Sequence, residues 1–284
     1  MNNISKYISI SSNNIRRWLI NPRIYILATL LSILLWNYLS PILNFSNSMR
    51  YRVTPWIFPF ISDFAYTHMM MMFGIVFLFC DAPFMNEGQP YFLIRCGRTQ
   101  WAMGQVFYIM IGTLIYFLFI SFVSILMIST NLFFSNSWGK ILGTLAQSTA
   151  GQAFNIQLPI SYTIQSLYTP IQAFGLSFML QWCAGTILGL IMFVINVYGK
   201  QSIGSIVASV IVLFDIAIEY EFKPYAYHFS PVSMARLTIL DPSGLSQRPT
   251  IIYACVFLAV AITLLSIIAV LSVHKREIQV LPPI

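Results

Sequence analysis

Four ionisable side chains sit in stretches of this chain that are otherwise apolar. Asp215 and Glu219 are four residues apart, which on a helix places them on one face. Asp63 and His68 share a second apolar stretch, and His68 heads the run HMMMMFG. Charge near lipid is costly and often functional, so such residues are the types that relay a proton or a cation. The simpler account is interfacial. Asp63, Asp215 and Glu219 fall toward the outer ends of their apolar runs, where water, Lys223 or other outer-leaflet bases can satisfy them. His68 is about one and a half turns deeper than Asp63. The sequence alone favours that account.

A second group of charges lies in residues 81–105, DAPFMNEGQPYFLIRCGRTQWAMGQ, a polar interruption between two uncharged runs. It holds Asp81, Glu87, Arg95 and Arg98. Pro90 can open a short helix over 91–96, which Gly97 weakens. Arg95 and Arg98, three apart, would then lie side by side, with Phe92 and Leu93 as apolar neighbours. Thr99 can cap the next helix, with Trp101 near headgroup level. A short helix across the mouth of two membrane spans is a contact surface for something outside the membrane.

Other chemistry is missing from the sequence. Neither Gly139-Lys140 nor Gly199-Lys200 completes a nucleotide-binding loop, and no Gly-x-Ser-x-Gly occurs. The four cysteines form no CxxC, and His68, His228 and His274 are far apart, so no metal site or disulfide framework is expected. No enzyme activity is expected of this chain.

The elements that hold these residues are membrane spans. The chain is 58% hydrophobic and 8% charged, where soluble domains carry about 25% charge. Six apolar segments are expected to cross, at about 24–43, 56–80, 106–128, 171–198, 203–218 and 251–273. They make one all-α transmembrane domain over 1–284. Residues 1–23 have helical apolar spacing with Arg16, Arg17 and Trp18, as in a helix lying on anionic headgroups. The first apolar run starts only near Ile24, after a polar segment, so no cleavable signal is expected. Residues 131–170 form a long polar connection. Pro224, Pro231 and Pro242 break 221–250 into short interfacial or re-entrant pieces. Gly185 and Gly189 form a small-xxx-small pattern, a weak sign of close helix approach. The net charge of +7 needs no nucleic acid, because basic residues at cytoplasmic span ends set topology. Their density favours both termini and the 81–105 segment inside a cell membrane.

The order of these elements resembles the ABC-2-type permeases, the membrane subunits of ATP-binding-cassette exporters. The resemblance rests on the basic amphipathic start, six spans, the loop Phe92-Leu-Ile-Arg-Cys-Gly-Arg-Thr-Gln-Trp101 and the broken segment with His228-Phe-Ser-Pro-Val232. It implies that 81–105 forms a cytoplasmic coupling helix contacting a separate ATPase through Phe92, Leu93, Arg95 and Arg98. ATP and Mg would then be bound by that partner, with no cofactor in this chain. It also implies a second permease subunit, an outer re-entrant segment at 221–250, and an amphipathic or apolar substrate such as a peptide, antibiotic or lipid-like molecule. The 131–170 loop is longer than the family pattern. The rival readings are an ion- or proton-coupled secondary transporter using Asp63, His68, Asp215 and Glu219, and a structural or sensory membrane protein.

Topology is testable directly. With the native cysteines replaced, an impermeant thiol reagent added outside should label a cysteine at Ser148 and spare one at Gln100. The reverse pattern would invert the assignment.

Overall fold

The computed structural model describes residues 3–84, 93–94, 96–199 and 201–275, with side chains of 3–6, 201 and 274–275 left out of the description. Phe92, Arg95, Glu87, Lys200 and Arg276 therefore lie outside the described residues or side chains. The secondary structure of the described residues is helical, with one isolated bridge pairing Val53 and Leu132 and no strand. The elements are α1 (Asn3–Arg16), α2 (Pro22–Met49), α3 (Phe58–Asp63), α4 (Ala65–Phe79), α5 (Arg98–Met127), α6 (Gly139–Gln147), α7 (Tyr162–Leu167), α8 (Pro170–Tyr198), α9 (Gln201–Glu221) and α10 (Ile251–Lys275).

Among the described residues, five helices are long and apolar enough to cross a membrane: α2, α5, α8, α9 and α10. The expected second crossing is divided into α3 and the shorter apolar helix α4. At about 1.5 Å per residue, α4 alone reaches only about 22 Å, short of a hydrocarbon layer about 30 Å thick. The break is at Phe64, whose backbone is extended (ψ 122°). The Thr67 hydroxyl bonds the Ile61 and Phe64 carbonyls beside that break, which satisfies polar groups that a continuous helix would have paired.

Other boundaries move for similar reasons. The first span was expected to give way to a polar loop at Asn44. Instead α2 runs through Pro41 to Met49, because its polar last turns find tertiary partners. Asn131 Nδ2 donates to Ser46 Oγ (3.2 Å) and to Asn47 Oδ1 (2.5 Å). Asn21 caps the start by accepting from Arg23 N, with Pro22 in the first turn. The 131–170 connection holds α6, α7 and a 3-10 turn at Thr149–Phe154. In 221–250 the expected short helices are two 3-10 turns, Pro224–Phe229 and Ser233–Ala235, and Val232, Met234, Ala235 and Leu237 are buried.

The long helices run alternately up and down. Asn131 ties the end of α5 to the end of α2, and Trp138 Nε1 bonds Tyr168 O just before α8. These contacts define one end, here called the cap, which also holds 224–250. At the opposite end, the base, Arg23 meets Asp81 and Asn196 meets Ala82. α8 is the inner helix, and 61% of its most apolar window is buried against 17% for α10. On α10, Val256, Val260, Leu264, Ile267 and Leu271 face outward, and Ile206, Val210 and Leu213 do so on α9. Apolar belts of this extent on several helices suit lipid, not water, and make this a multi-pass membrane protein.

Lipid removes the usual hydrophobic drive for helix association, so close packing and interhelical hydrogen bonds must hold the bundle. The Gly185/Gly189 pair serves that purpose. A Cβ on Gly189 would come within 2.6 Å of Ile109 Cγ2 and 3.2 Å of Phe79 Cδ2, and one on Gly185 within 2.9 Å of Phe117 Cε2. The pattern thus seats α8 against α4 and α5. Gly189→Val should destabilise the folded protein by about 1–3 kcal/mol, since Ile109 is branched at Cβ and yields poorly. Unfolding in detergent measures it, and wild-type stability would contradict this packing.

Candidate functional site

Asp63, His68, Asp215 and Glu219 come from three helices, yet the fold brings all four to one place at the cap end. Arg236 approaches three of them: Asp63, Asp215 and Glu219. Its Nε donates to the Asp63 carbonyl (2.8 Å), and its Nη1 donates to Glu219 Oε2 (2.6 Å). The same Nη1 lies 3.8 Å from Asp215 Oδ2, beyond hydrogen-bond reach. The Arg236 side chain is 6% exposed, Asp215 0% and Glu219 32%. Burial works against the guanidinium charge. The Glu219 bond and the Asp215 and Asp63 carboxylates outweigh it, so the Arg236 pKa stays above the ordinary value.

The Asp63 carboxylate has its own partner. Thr238 donates to Oδ1 from its backbone N–H and its hydroxyl, each at 2.8 Å. Arg248 Nη1 bonds the Thr238 carbonyl (3.0 Å), which ties the next loop to the same point. In that loop, hydrogen bonds from Ser243 and Ser246 hold the Asp241 carboxyl well below the usual carboxylate range.

His68 is fully buried and sits between Val232 and Gln181. Gln181 Nε2 faces the Ser62 carbonyl (3.0 Å), the Ala235 carbonyl (3.3 Å) and His68 Nδ1 (2.9 Å). Two carbonyl neighbours fix that atom as the amide nitrogen, so His68 Nδ1 accepts. His68 Nε2 then carries the hydrogen and donates to Val232 O (3.1 Å). This pattern describes a neutral imidazole, and the 3.9 Å approach of Nε2 to Asp215 is not an ion pair.

The expectation that a base of the 221–250 segment satisfies these acids holds for Glu219, while two details need correction. Asp215 is enclosed, not water-facing. Lys223 is exposed, and the Glu219 partner is Arg236. Arg236, Gln181 and Thr238 were missed. A signal for Arg236 existed, because it is the one charged residue in the stretch VSMARLTIL.

Beside the Arg23–Asp81 pair, the base end is tied by neutral groups. Residues 7, 11, 14 and 18 form one face of the N-terminal helical segment, and that face meets the first turns of α5. Ser11 Oγ donates to Gly104 O (2.9 Å), Asn14 Nδ2 to Gln105 Oε1 (2.8 Å) and Trp18 Nε1 to Tyr108 OH (2.9 Å). Tyr7 stacks on Phe107, with centroids 5.8 Å apart. Gly104 permits this approach, since a Cβ there would lie 2.9 Å from Ile10 Cβ. The segment expected to lie on the membrane surface thus packs on protein along one face. Arg16 is exposed and Arg17 half-buried, so the basic end remains accessible to headgroups.

Residues 81–84 are held from three sides. Arg23 Nη1 donates to Asp81 Oδ1 (2.5 Å), Asn196 Nδ2 donates to Ala82 O (2.9 Å), and the Phe84 ring meets Tyr108 edge-on at 4.9 Å. Of the expected contact residues, Leu93 is half-buried and helical and Arg98 is exposed, while Phe92 and Arg95 lie outside the described residues. Ile94 is 82% exposed. Two local expectations change: α5 starts at Arg98, with Thr99 inside its first turn, and Trp101 is buried near Phe193 instead of lying at the headgroups.

No protein-family model, curated protein or solved structure matches the chain. Function must therefore be argued from the two ends themselves. Among the described residues, no group of three or more His, Cys, Asp or Glu is arranged to hold a metal ion.

Arg236→Met removes the one cation facing Asp215 and Glu219, and should cost about 3–5 kcal/mol. Adding Asp215→Leu and Glu219→Met should recover most of that loss, because apolar replacement of a whole buried ion group is often neutral. Lys223→Met should change stability by less than about 0.5 kcal/mol. Denaturant unfolding of the purified protein compares all of them. A costly Lys223→Met together with a silent Arg236→Met would restore Lys223 as the partner of these acids.

Proposed function

We propose that this protein is the permease subunit of an ATP-driven exporter, working with a separate ATPase and a second permease subunit. The observation that carries the reading is the lock between the amphipathic N-terminal segment and the first turns of α5. It makes the end of the 81–105 segment continuous with a helix 30 residues long, braced from the side by α1. A push on residues 98–105 would pass directly along α5, whereas Leu93 and Ile94 reach it only through Gly97, which lies outside the helix with φ 85°. In this reading α3 and α4 together make the sixth crossing. The base is cytoplasmic and the cap is outside.

Charge placement supports that orientation. Arg236, one of the six basic residues of the cap-end segments, is consumed by an internal ion group. By sequence, the basic residues weigh toward the base-end segments, nine against six, as the positive-inside rule requires of a cytoplasmic face. In this reading an amphipathic or apolar substrate moves between the two permease subunits.

A second reading, an ion-coupled transporter, is favoured by the convergence of Asp63, His68, Asp215 and Glu219. The two readings separate on the energy source. Transport by the ion-coupled protein runs on a gradient without nucleotide, whereas the permease needs its ATPase.

The test is at the base. Arg98→Glu, with Arg95 retained, should insert and fold normally. It should weaken pull-down of the co-purifying ATPase or abolish substrate-stimulated ATP hydrolysis in reconstituted membranes, because a contact patch tolerates charge reversal poorly. Phe92→Ala should act in the same direction. Wild-type values for both variants in both assays would remove the coupling assignment.

A further inference from the structure

The carboxylate of Asp215 is the charged group that the described cap network leaves without a hydrogen bond, beside two neutral atoms, Gln181 Oε1 and Ser233 Oγ, that also lack one. Both of its oxygens are buried and neither has a hydrogen bond, although the Arg236 Nη1 is only 3.8 Å away. That nitrogen is instead engaged at 2.6 Å by Glu219, one turn along the same face of α9 and 32% exposed. The better-buried acid thus lacks the bond, and the acid with access to solvent holds it. Moving the guanidinium to Asp215 would satisfy the buried carboxylate and release Glu219 toward solvent. One arrangement leaves a buried acceptor unpaired, and the other gives up a short charge-assisted bond. These are opposing costs of similar kind.

The surroundings allow the exchange. Arg236 keeps a second anchor through Nε on the Asp63 carbonyl, and Thr238 holds the Asp63 carboxylate, so the 236–238 segment stays fixed to α3. His68 offers Asp215 no competing charge, since its Nε2 hydrogen is directed to Val232 O. The amide of Gln181, the facing side chain of α8, is turned to His68 and two carbonyls. The variable contact is therefore the one between Arg236 and α9. A closing displacement of about 1 Å brings 3.8 Å within ordinary hydrogen-bond range.

We propose that Asp215 and Glu219 are alternative seats for the Arg236 guanidinium, forming a two-position latch between α9 and the segment that precedes α10. The latch does not depend on the permease reading. It links α9 to α3 through a contact that can shift without breaking the rest of the cap.

A double-substitution cycle tests it. Asp215→Leu leaves the Glu219 seat, and Glu219→Met leaves the Asp215 seat. Each alone should lower the melting temperature in detergent by about 2 °C or less, whereas the pair, which strands the buried guanidinium, should lose more than about 6 °C. The same two changes made in an Arg236→Met background should show no such excess. Failure of the double variant alone to yield folded, monodisperse protein counts as the same excess. The proposal is overturned if Glu219→Met by itself loses as much as the pair, which means a single seat, or if the two losses simply add.

Discussion

A guanidinium buried at the end of a membrane bundle must be answered by acceptors from the same chain, and that requirement organises the cap. Arg236 reaches the carbonyl of α3 and the carboxylate of α9, and Thr238, two residues on, reaches the Asp63 side chain. The segment after α9 is thereby fastened across two helices far from it in sequence. The same fastening explains why the second apolar stretch is broken. Asp63 ends α3 with its carbonyl facing Arg236 and its carboxylate facing Thr238, and Phe64 turns out of helix just after it. A continuous helix through this point would have to give the Asp63 carbonyl an intrahelical partner.

The two ends of the bundle meet the demand for polar satisfaction differently. At the cap the ties are charged and concentrated on one side chain. At the base, apart from the exposed Arg23–Asp81 pair, they are neutral and spread along two helices, through Ser11, Asn14 and Trp18 on one side and Gly104, Gln105 and Tyr108 on the other. A charged tie resists separation strongly but can exchange partners between like acceptors. A ladder of neutral bonds, each worth on the order of 1 kcal/mol or less in membranes, keeps its register because every rung would have to shift at once. The base is thus built as a stiff joint, and the cap is where rearrangement is cheapest.

Periodicity and composition are enough to place α8, α9 and α10 almost to the residue, because long apolar runs with polar ends have few alternatives in a bilayer. The sequence also marks Asp63, His68, Asp215 and Glu219 as costly residues worth explaining. What it could not supply is their meeting point. Asp63 and Arg236 are separated by 173 positions, and no local pattern announces that pairing. The errors at Asn44 and Phe64 have the same origin. Asn44–49 looks like a loop until Asn131 is seen to bond Ser46 and Asn47, and residues 56–80 look continuous until Thr238 is seen to claim Asp63. The buried position of Trp101 is likewise set by Phe193, from a helix nearly a hundred residues away. Local propensity placed the elements, and distant partners decided where they stop.

Between the two ends, α5 is the element that feels both. At about 1.5 Å per residue its 30 residues span about 45 Å, the whole thickness of a bilayer with its headgroups. Along that length it is bonded at intervals to the helices beside it: the Trp182 indole donates to Met110 O (2.8 Å), Thr113 meets Thr186 (3.0 Å), and Tyr116 donates to Met71 O (2.8 Å). Two of those partners are on α8, and the third is on α4, one turn from His68. A displacement of α5 at the base therefore cannot stay local. It is shared with α8 and α4, whose Gln181 and His68 stand against Val232 and Ala235 beside Arg236. The rigid route from the N-terminal lock thus ends at the one contact in the cap that has an alternative partner.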